Sequence, residues 1–233
     1  MASKTIQVRA HDQGEFSAYL SLPPTGKGPG ILLIQEIFGV NQHIREVADQ
    51  YASDGFVVLA PDVFWRQHPG FDVGYDDAGF KQGFDLMQSM DFPLAVQDLC
   101  SSAKALRSLP EVTGKIASLG YCMGGMLSYL VGTTPDAVDA SVCYYGGGIH
   151  TALDRADNAT NPMLMHFAEK DGFIPMDAVR SVQSAFSHKP HIEIHTYPDV
   201  DHGFNCWGRS MYQQQAACRA RGLTLEFLAR VVA

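Results

Sequence analysis

Apolar and polar positions along the chain follow two rhythms. In residues 5–9 and 16–22 polarity changes at nearly every step, the period of a half-buried strand, and their closeness predicts an antiparallel hairpin. Residues 30–35 are instead a continuous apolar run, which suits a strand covered on both faces in a parallel sheet. Ile44, Val47, Ala48 and Tyr51 then recur at helical spacing, in a helix that Asn41 is placed to cap and Gly55 to end. A strand at 56–59 is expected to stop at Ala60, Pro61 and Asp62. Residues 64–91 are rich in Gly and Asp, keep no clear period, and read as a loop or lid. A long helix with Phe92, Val96, Leu99, Ala103 and Leu106 on one face follows. Later strands are expected at 115–119, 140–145, 162–167 and 191–197, with helices at 123–131, 176–186 and 210–232. Strands alternating with helices predict an α/β fold, with a mostly parallel central sheet, helices on both faces and the N-terminal hairpin at one edge.

Composition narrows this picture. The 233 residues, 46% of them hydrophobic, suffice for one domain with a sizeable core spanning 1–233, and no repeat or composition break marks a second. Only 18% are charged, which excludes disorder. The 17 Lys and Arg are scattered among 25 Asp and Glu, a net charge of −8, which argues against a nucleic-acid partner. A small anionic substrate stays possible, because a pocket's field need not follow the net charge. The first residues lack the basic end and apolar block of a signal peptide, and no stretch reaches the ~18 apolar residues of a membrane span. Five cysteines, an odd count without close pairs, read as reduced thiols. The expectation is a soluble cytoplasmic protein, a monomer or small homo-oligomer, with no membrane partner.

In open α/β sheets ligands bind beyond the carboxyl ends of the strands. At one such end stand Gly120, Tyr121, Cys122, Met123, Gly124 and Gly125, with a helix starting at once. This is the nucleophile-elbow pattern with Cys in place of Ser. The turn is sharp enough to require the glycines, and it lifts the Cys122 sulfur to the positive end of the helix, which favours a thiolate. The Met123 N–H points to where a carbonyl oxygen would gain charge. The competing reading is a tight βα turn with a small buried Cys. Asp171 and His202 each follow a further predicted strand. The chain order of nucleophile, acid and base is that of α/β-hydrolase triads, with His202 as general base and acid and Asp171 fixing its tautomer. Together the three positions favour catalysis.

The chain resembles the dienelactone hydrolases, or carboxymethylenebutenolidases, of the α/β-hydrolase fold. The likeness rests on Gln35, Glu36, Ile37, Phe38, Gly39 and Val40, on Ala60, Pro61 and Asp62, on the elbow from Gly120 to Gly125, on Tyr144, Tyr145 and Gly146, and on Asp171 and His202 with Gly203 and Phe204. It implies that Glu36 contacts the thiol and helps generate the thiolate, that Ile37 N–H is a second oxyanion donor, and that no cofactor is used. It also implies two arginines that hold a substrate carboxylate. Here the lid region offers Lys81 instead, and Cys206 stands where the second arginine is expected, with Arg209 three residues on. Lys and Arg are not equivalent in binding a carboxylate. Phe38, Phe84, Tyr144 and Trp207 are candidate pocket walls.

The leading expectation is a hydrolase that opens an activated lactone or enol ester through an acyl-thioester on Cys122. One alternative keeps the triad and changes the ester or thioester substrate. Another is a non-catalytic protein of the same fold whose Cys122 senses oxidants or electrophiles. A metal site is not expected: His191, Glu193 and His195 share a strand face that alternation alone explains. Cys100, Cys143 and Cys218 read as small buried hydrophobes.

Overall fold

Ile31, Leu32, Leu33 and Ile34 are all shielded completely from solvent, so the strand that carries them must be covered on both faces. The computed structural model describes residues 2–233. Strands β1 (Ala2–Arg9) and β2 (Glu15–Leu22) form the hairpin, with Val8 opposite Phe16. Then come β3 (Gly28–Ile34), α1 (Gln42–Ser53), β4 (Val57–Pro61), α2 (Asp77–Gln88), α3 (Phe92–Arg107), β5 (Val112–Tyr121) and α4 (Met123–Gly132). The chain continues through β6 (Ala140–Tyr144), β7 (Met163–Ala168), α5 (Met176–Phe186), β8 (Ile192–Tyr197) and α6 (Gln214–Val231). The strands form one sheet in the order β1-β2-β4-β3-β5-β6-β7-β8, parallel from β4 to β8 and antiparallel at the hairpin edge.

Alternating side chains of the central strands tie the sheet to helices on opposite faces. On one face, Ser141 of β6 shares hydrogen bonds with Ser118 of β5, which reaches Ser128 of α4. On the other face, the Tyr144 hydroxyl meets Thr224 Oγ1 of α6 at 2.7 Å. Arg221 of α6 pairs with Asp54 at the end of α1, so these two helices share that face. Helices α3 and α5 flank α4, with Tyr129 of α4 edge-on to Phe186 of α5. The result is one α/β domain. Its chain steps from β3 to β4 on one side and crosses back to place β5 on the other. The crevice between the carboxyl ends of β3 and β5 is the switch point at which such sheets bind ligands.

Three expectations need correction. Strand β4 runs on through Ala60 and Pro61 rather than stopping there, because Pro61 still faces Ala18 of β2. Pairing with β3 ends at Leu59, so the N–H that Pro61 lacks leaves no gap on that side. The stretch read as loop contains the twelve-residue helix α2, capped by Asp76, whose carboxylate accepts from Gly79 N–H. Its period was masked by Gly79 and Gly83, which are there for close approach: a Cβ on Gly83 would lie 2.0 Å from the Ile37 carbonyl oxygen. Finally, α6 begins at Gln214 and not near 210, because residues 210–213 turn back to the site, with Gln213 N–H donating to the Phe204 carbonyl. Among the described residues, no helix is long and apolar enough to cross a membrane.

Candidate active site

Cys122 joins β5 to α4 with φ 56° and ψ −119°, left-handed backbone that a side chain adopts only under strain. Two glycines make the turn possible. A Cβ on Gly120 would lie 1.9 Å from the Gly124 carbonyl oxygen, and one on Gly124 would lie 2.3 Å from that of Ile34. The turn is further held by Cys122 N–H, which donates to the Tyr144 carbonyl at 3.1 Å. Met123 is the first residue of α4, so its N–H has no acceptor within the helix. The thiol thus stands at the sheet's carboxyl edge, half-buried, over a helix N-terminus.

His202, beyond β8, places Nδ1 2.8 Å from Asp171 Oδ2 beyond β7, and both residues are buried. The other Asp171 oxygen accepts from Phe173 N–H at 2.8 Å and Ile174 N–H at 3.1 Å, so the carboxylate is fixed by its own loop. Tyr145 and Phe173 set ring edges against the imidazole, at 5.0 and 5.1 Å between centroids. Burial opposes a charge on His202. The charge of Cys122 and hydrogen bonds to Asp171 and Cys122 outweigh it, and the pKa rises from 6.5 to about 10.

Glu36, just beyond β3, is 1% exposed, and neither carboxylate oxygen has a hydrogen-bond partner among the described residues. Burial raises its pKa, against the pull of Arg209 and His202. The Arg209 guanidinium, also buried, lies 3.6 Å from Oε1. His43 Nδ1 and the Tyr75 and Tyr145 hydroxyls near Glu36 are likewise buried without partners. Burial pushes the Cys206 thiol up to about 12 and lowers His43 to about 4, leaving its imidazole neutral at neutral pH. The Gln35 side chain accepts from Val63 N–H at 3.1 Å and so pins the turn that carries Glu36.

A cavity of about 180 Å³ opens above Cys122 and His202. Ile37 and Met123, the expected oxyanion donors, line it, and Phe38, Phe80, Phe84, Met87 and Phe173 make its walls apolar. Arg209 is the one arginine or lysine that lines it among the described residues.

The profile of the dienelactone hydrolase family matches residues 16–232, nearly the whole chain. The chain belongs to the dienelactone hydrolase family. Membership places it among hydrolases that act on esters or lactones. It is 35% identical over 233 residues to the carboxymethylenebutenolidase of Pseudomonas sp. strain P51, covering 99% of this chain and 97% of that one. With the carboxymethylenebutenolidase of Pseudomonas putida it shares 32% identity over 230 residues, covering 98% and 97%. A dienelactone-hydrolase-like promiscuous phosphotriesterase from metagenomic libraries superposes over the full length of both chains with a TM-score of 0.83 at 21% identity, a likeness of fold.

Within this member of the family the expected residues divide. Cys122, His202, Asp171, Glu36, Ile37, Met123, Phe38, Phe84 and Arg209 gather at the cavity or directly behind it. Three do not. Lys81 lies on the outer side of α2, with its ammonium 2.6 Å from Asp85 and its side chain 76% exposed. Tyr144 is wholly buried and its hydroxyl is committed to Thr224, because an even position on β6 faces α6. Trp207 packs on His43 and donates to Glu46 at 3.2 Å, at a separate surface depression. Phe80 and Met87 were missed because α2 was read as loop, although with Phe84 they keep helical spacing. His43 and Tyr75 carry no sequence signal: each reaches Glu36 only through tertiary packing. His191 and Glu193 find separate partners, the Ala159 carbonyl and Arg230. Cys143 is buried as expected, whereas Cys100 is half-buried and Cys218 exposed.

Proposed function

We propose that this enzyme opens an activated lactone or enol ester through a thioester on Cys122. The observation that carries this reading is a strained cysteine on the floor of a cavity it shares with a histidine held 2.8 Å from a buried aspartate. Glu36, whose raised pKa makes it a competent base, takes the thiol proton as substrate enters. The Cys122 sulfur then bonds to the carbonyl carbon, and the N–H groups of Met123 and Ile37 receive the charge on oxygen. Collapse breaks the ring C–O bond and releases an enolate, which takes the proton held on His202. With the Cys122 charge gone into the thioester, the largest support for a charge on His202 is lost, and the neutral imidazole, oriented by Asp171, removes a proton from water. The hydroxide adds to the thioester, the Cys122 thiolate leaves, and Glu36 returns its proton to the sulfur.

Cysteine suits this chemistry and limits it. A thiolate leaves more readily than an alkoxide, so an alkyl ester would return to starting material. An enolate or aryloxide leaves far more readily than an alkoxide and so competes with the thiolate, and protonation of the departed enolate keeps the acyl group on sulfur. Apolar walls and a single guanidinium, already facing Glu36, favour a substrate with an apolar body and at most one carboxylate.

Intact-mass measurement after rapid mixing with a dienelactone tests this. A mass gain equal to the opened substrate is expected on the native chain and none on Cys122→Ala, whose kcat/KM should fall at least about 10³-fold. Equal turnover by the two proteins would refute it. A second reading, an uncharged aryl ester as substrate, is favoured by Lys81 pointing away from the cavity. It predicts a kcat/KM for neutral aryl esters above that for a carboxylated lactone.

A further inference from the structure

Behind the cavity, both Glu36 oxygens and His43 Nδ1 are buried without hydrogen-bond partners among the described residues, as are the hydroxyls of Tyr75 and Tyr145, which interact electrostatically with Glu36. The buried Cys206 thiol completes the group. One donor atom each of Glu36, His43 and Cys206 lies within 4.8 Å of the others. Buried polar atoms without hydrogen-bond partners are costly, and Arg209 at 3.6 Å offsets only the Glu36 charge, so the cluster departs from ordinary packing. Sulfur, imidazole and carboxylate together are the ligand set of zinc. Metal–ligand bonds of about 2.0–2.3 Å set ligand atoms roughly 3–4 Å apart, so small side-chain rotations close the site.

We propose that Glu36, His43 and Cys206 bind a zinc-like divalent cation, and that the bound ion inhibits the hydrolase by holding Glu36 away from Cys122. The inhibition rests on the role given to Glu36 above; the binding does not. Arg209 is the point of control. It lines the cavity and faces Glu36 at 3.6 Å, so an entering cation must push the guanidinium back into the cavity. As the metal–sulfur bond forms, the Cys206 proton passes to solvent and no electron is transferred.

Cobalt(II) is the probe for binding, because a thiolate–cobalt bond gives a near-ultraviolet charge-transfer band. The titration uses Cys122→Ala, which removes the other thiol that could bind metal beside a histidine. One equivalent per chain should develop the band. It should be absent in the Cys122→Ala/Cys206→Ala double variant and weakened in Cys122→Ala/His43→Ala, with circular dichroism confirming that both are folded. Adding Arg209→Gln to Cys122→Ala should tighten binding about tenfold, because it removes a cation competing for Glu36. No band in Cys122→Ala, or a band that survives loss of Cys206, would overturn the site. For inhibition, zinc should slow the native enzyme and lose at least about tenfold in potency against Cys206→Ala. Equal potency would overturn the inhibitory role. A chain that turned over no ester, yet gave the cobalt band, would refute the proposed function and leave the metal site standing.

Discussion

At Cys122 the backbone is strained so that one sulfur can stand over a helix N-terminus, and the surrounding residues spend their hydrogen bonds on orientation. Asp171 illustrates this. One oxygen serves two loop amides and the other serves His202, so each has a separate task. In Asp171→Asn the amide oxygen could keep both loop bonds while its NH₂ faced Nδ1, forcing the wrong imidazole tautomer. Steady-state kinetics should show kcat reduced by about 10³–10⁴-fold with the fold intact. Cys122 and Asp171 together set a pH dependence at His202. The raised pKa of His202 means that the folded chain keeps a proton there which the unfolded chain releases above 6.5. The associated stability is present in full below pH 6.5 and is lost as pH rises through about 10. The stability difference between the native chain and Asp171→Asn, read from urea unfolding, should therefore narrow across that range. A constant difference would argue against the ion pair.

At the scale of elements, helix α2 decides the shape of the cavity, and it does so through a glycine. Phe80, Phe84 and Met87 project into the cavity because Gly83 lets the helix rest on the Ile37 carbonyl. Gly83→Ala gains up to ~1 kcal/mol of helix propensity. The added methyl must also displace a backbone oxygen 2.0 Å away, an overpacking cost of about 1–3 kcal/mol. The clash should win, lowering the melting temperature and, by moving Ile37, kcat/KM as well. Gly222 in α6 is the control: a Cβ there meets nothing within 4 Å, so Gly222→Ala should stabilise by about 0.5–1 kcal/mol. Thermal melts of the two variants should move in opposite directions.

Across the whole molecule, the sheet is joined to α6 by a buried polar chain. His166 bonds the Tyr197 hydroxyl at 2.8 Å and Thr224 Oγ1 at 3.0 Å, and Thr224 bonds Tyr144. Complete burial lowers the His166 pKa from 6.5 to about 3. The unfolded chain therefore takes up a proton that the folded chain refuses, and stability should fall as pH drops from 6.5 towards 3. His166→Gln should make urea midpoints less sensitive to acid over that range. An unchanged acid slope would show that other groups govern it.

The local pattern of the sequence determined the order of strands and helices apart from α2, the glycine-flanked Cys122, and the placing of Asp171 and His202 at strand ends. Those features follow from backbone constraints that act within a few residues: period, capping and the space a sharp turn allows. The resemblance carried by the motifs pointed to Glu36. Tertiary structure decided what lies around them. Lys81 and Arg209 are equally cationic in the sequence, yet α2 turns Lys81 outward to Asp85, whereas the turn before α6 brings Arg209 in to Glu36. Likewise His43, Tyr75 and Cys206 come from α1, the segment before α2 and the His202 loop, and they meet Glu36 only when the sheet's carboxyl edge closes. No spacing rule encodes such a meeting, because it depends on packing between elements far apart in the chain.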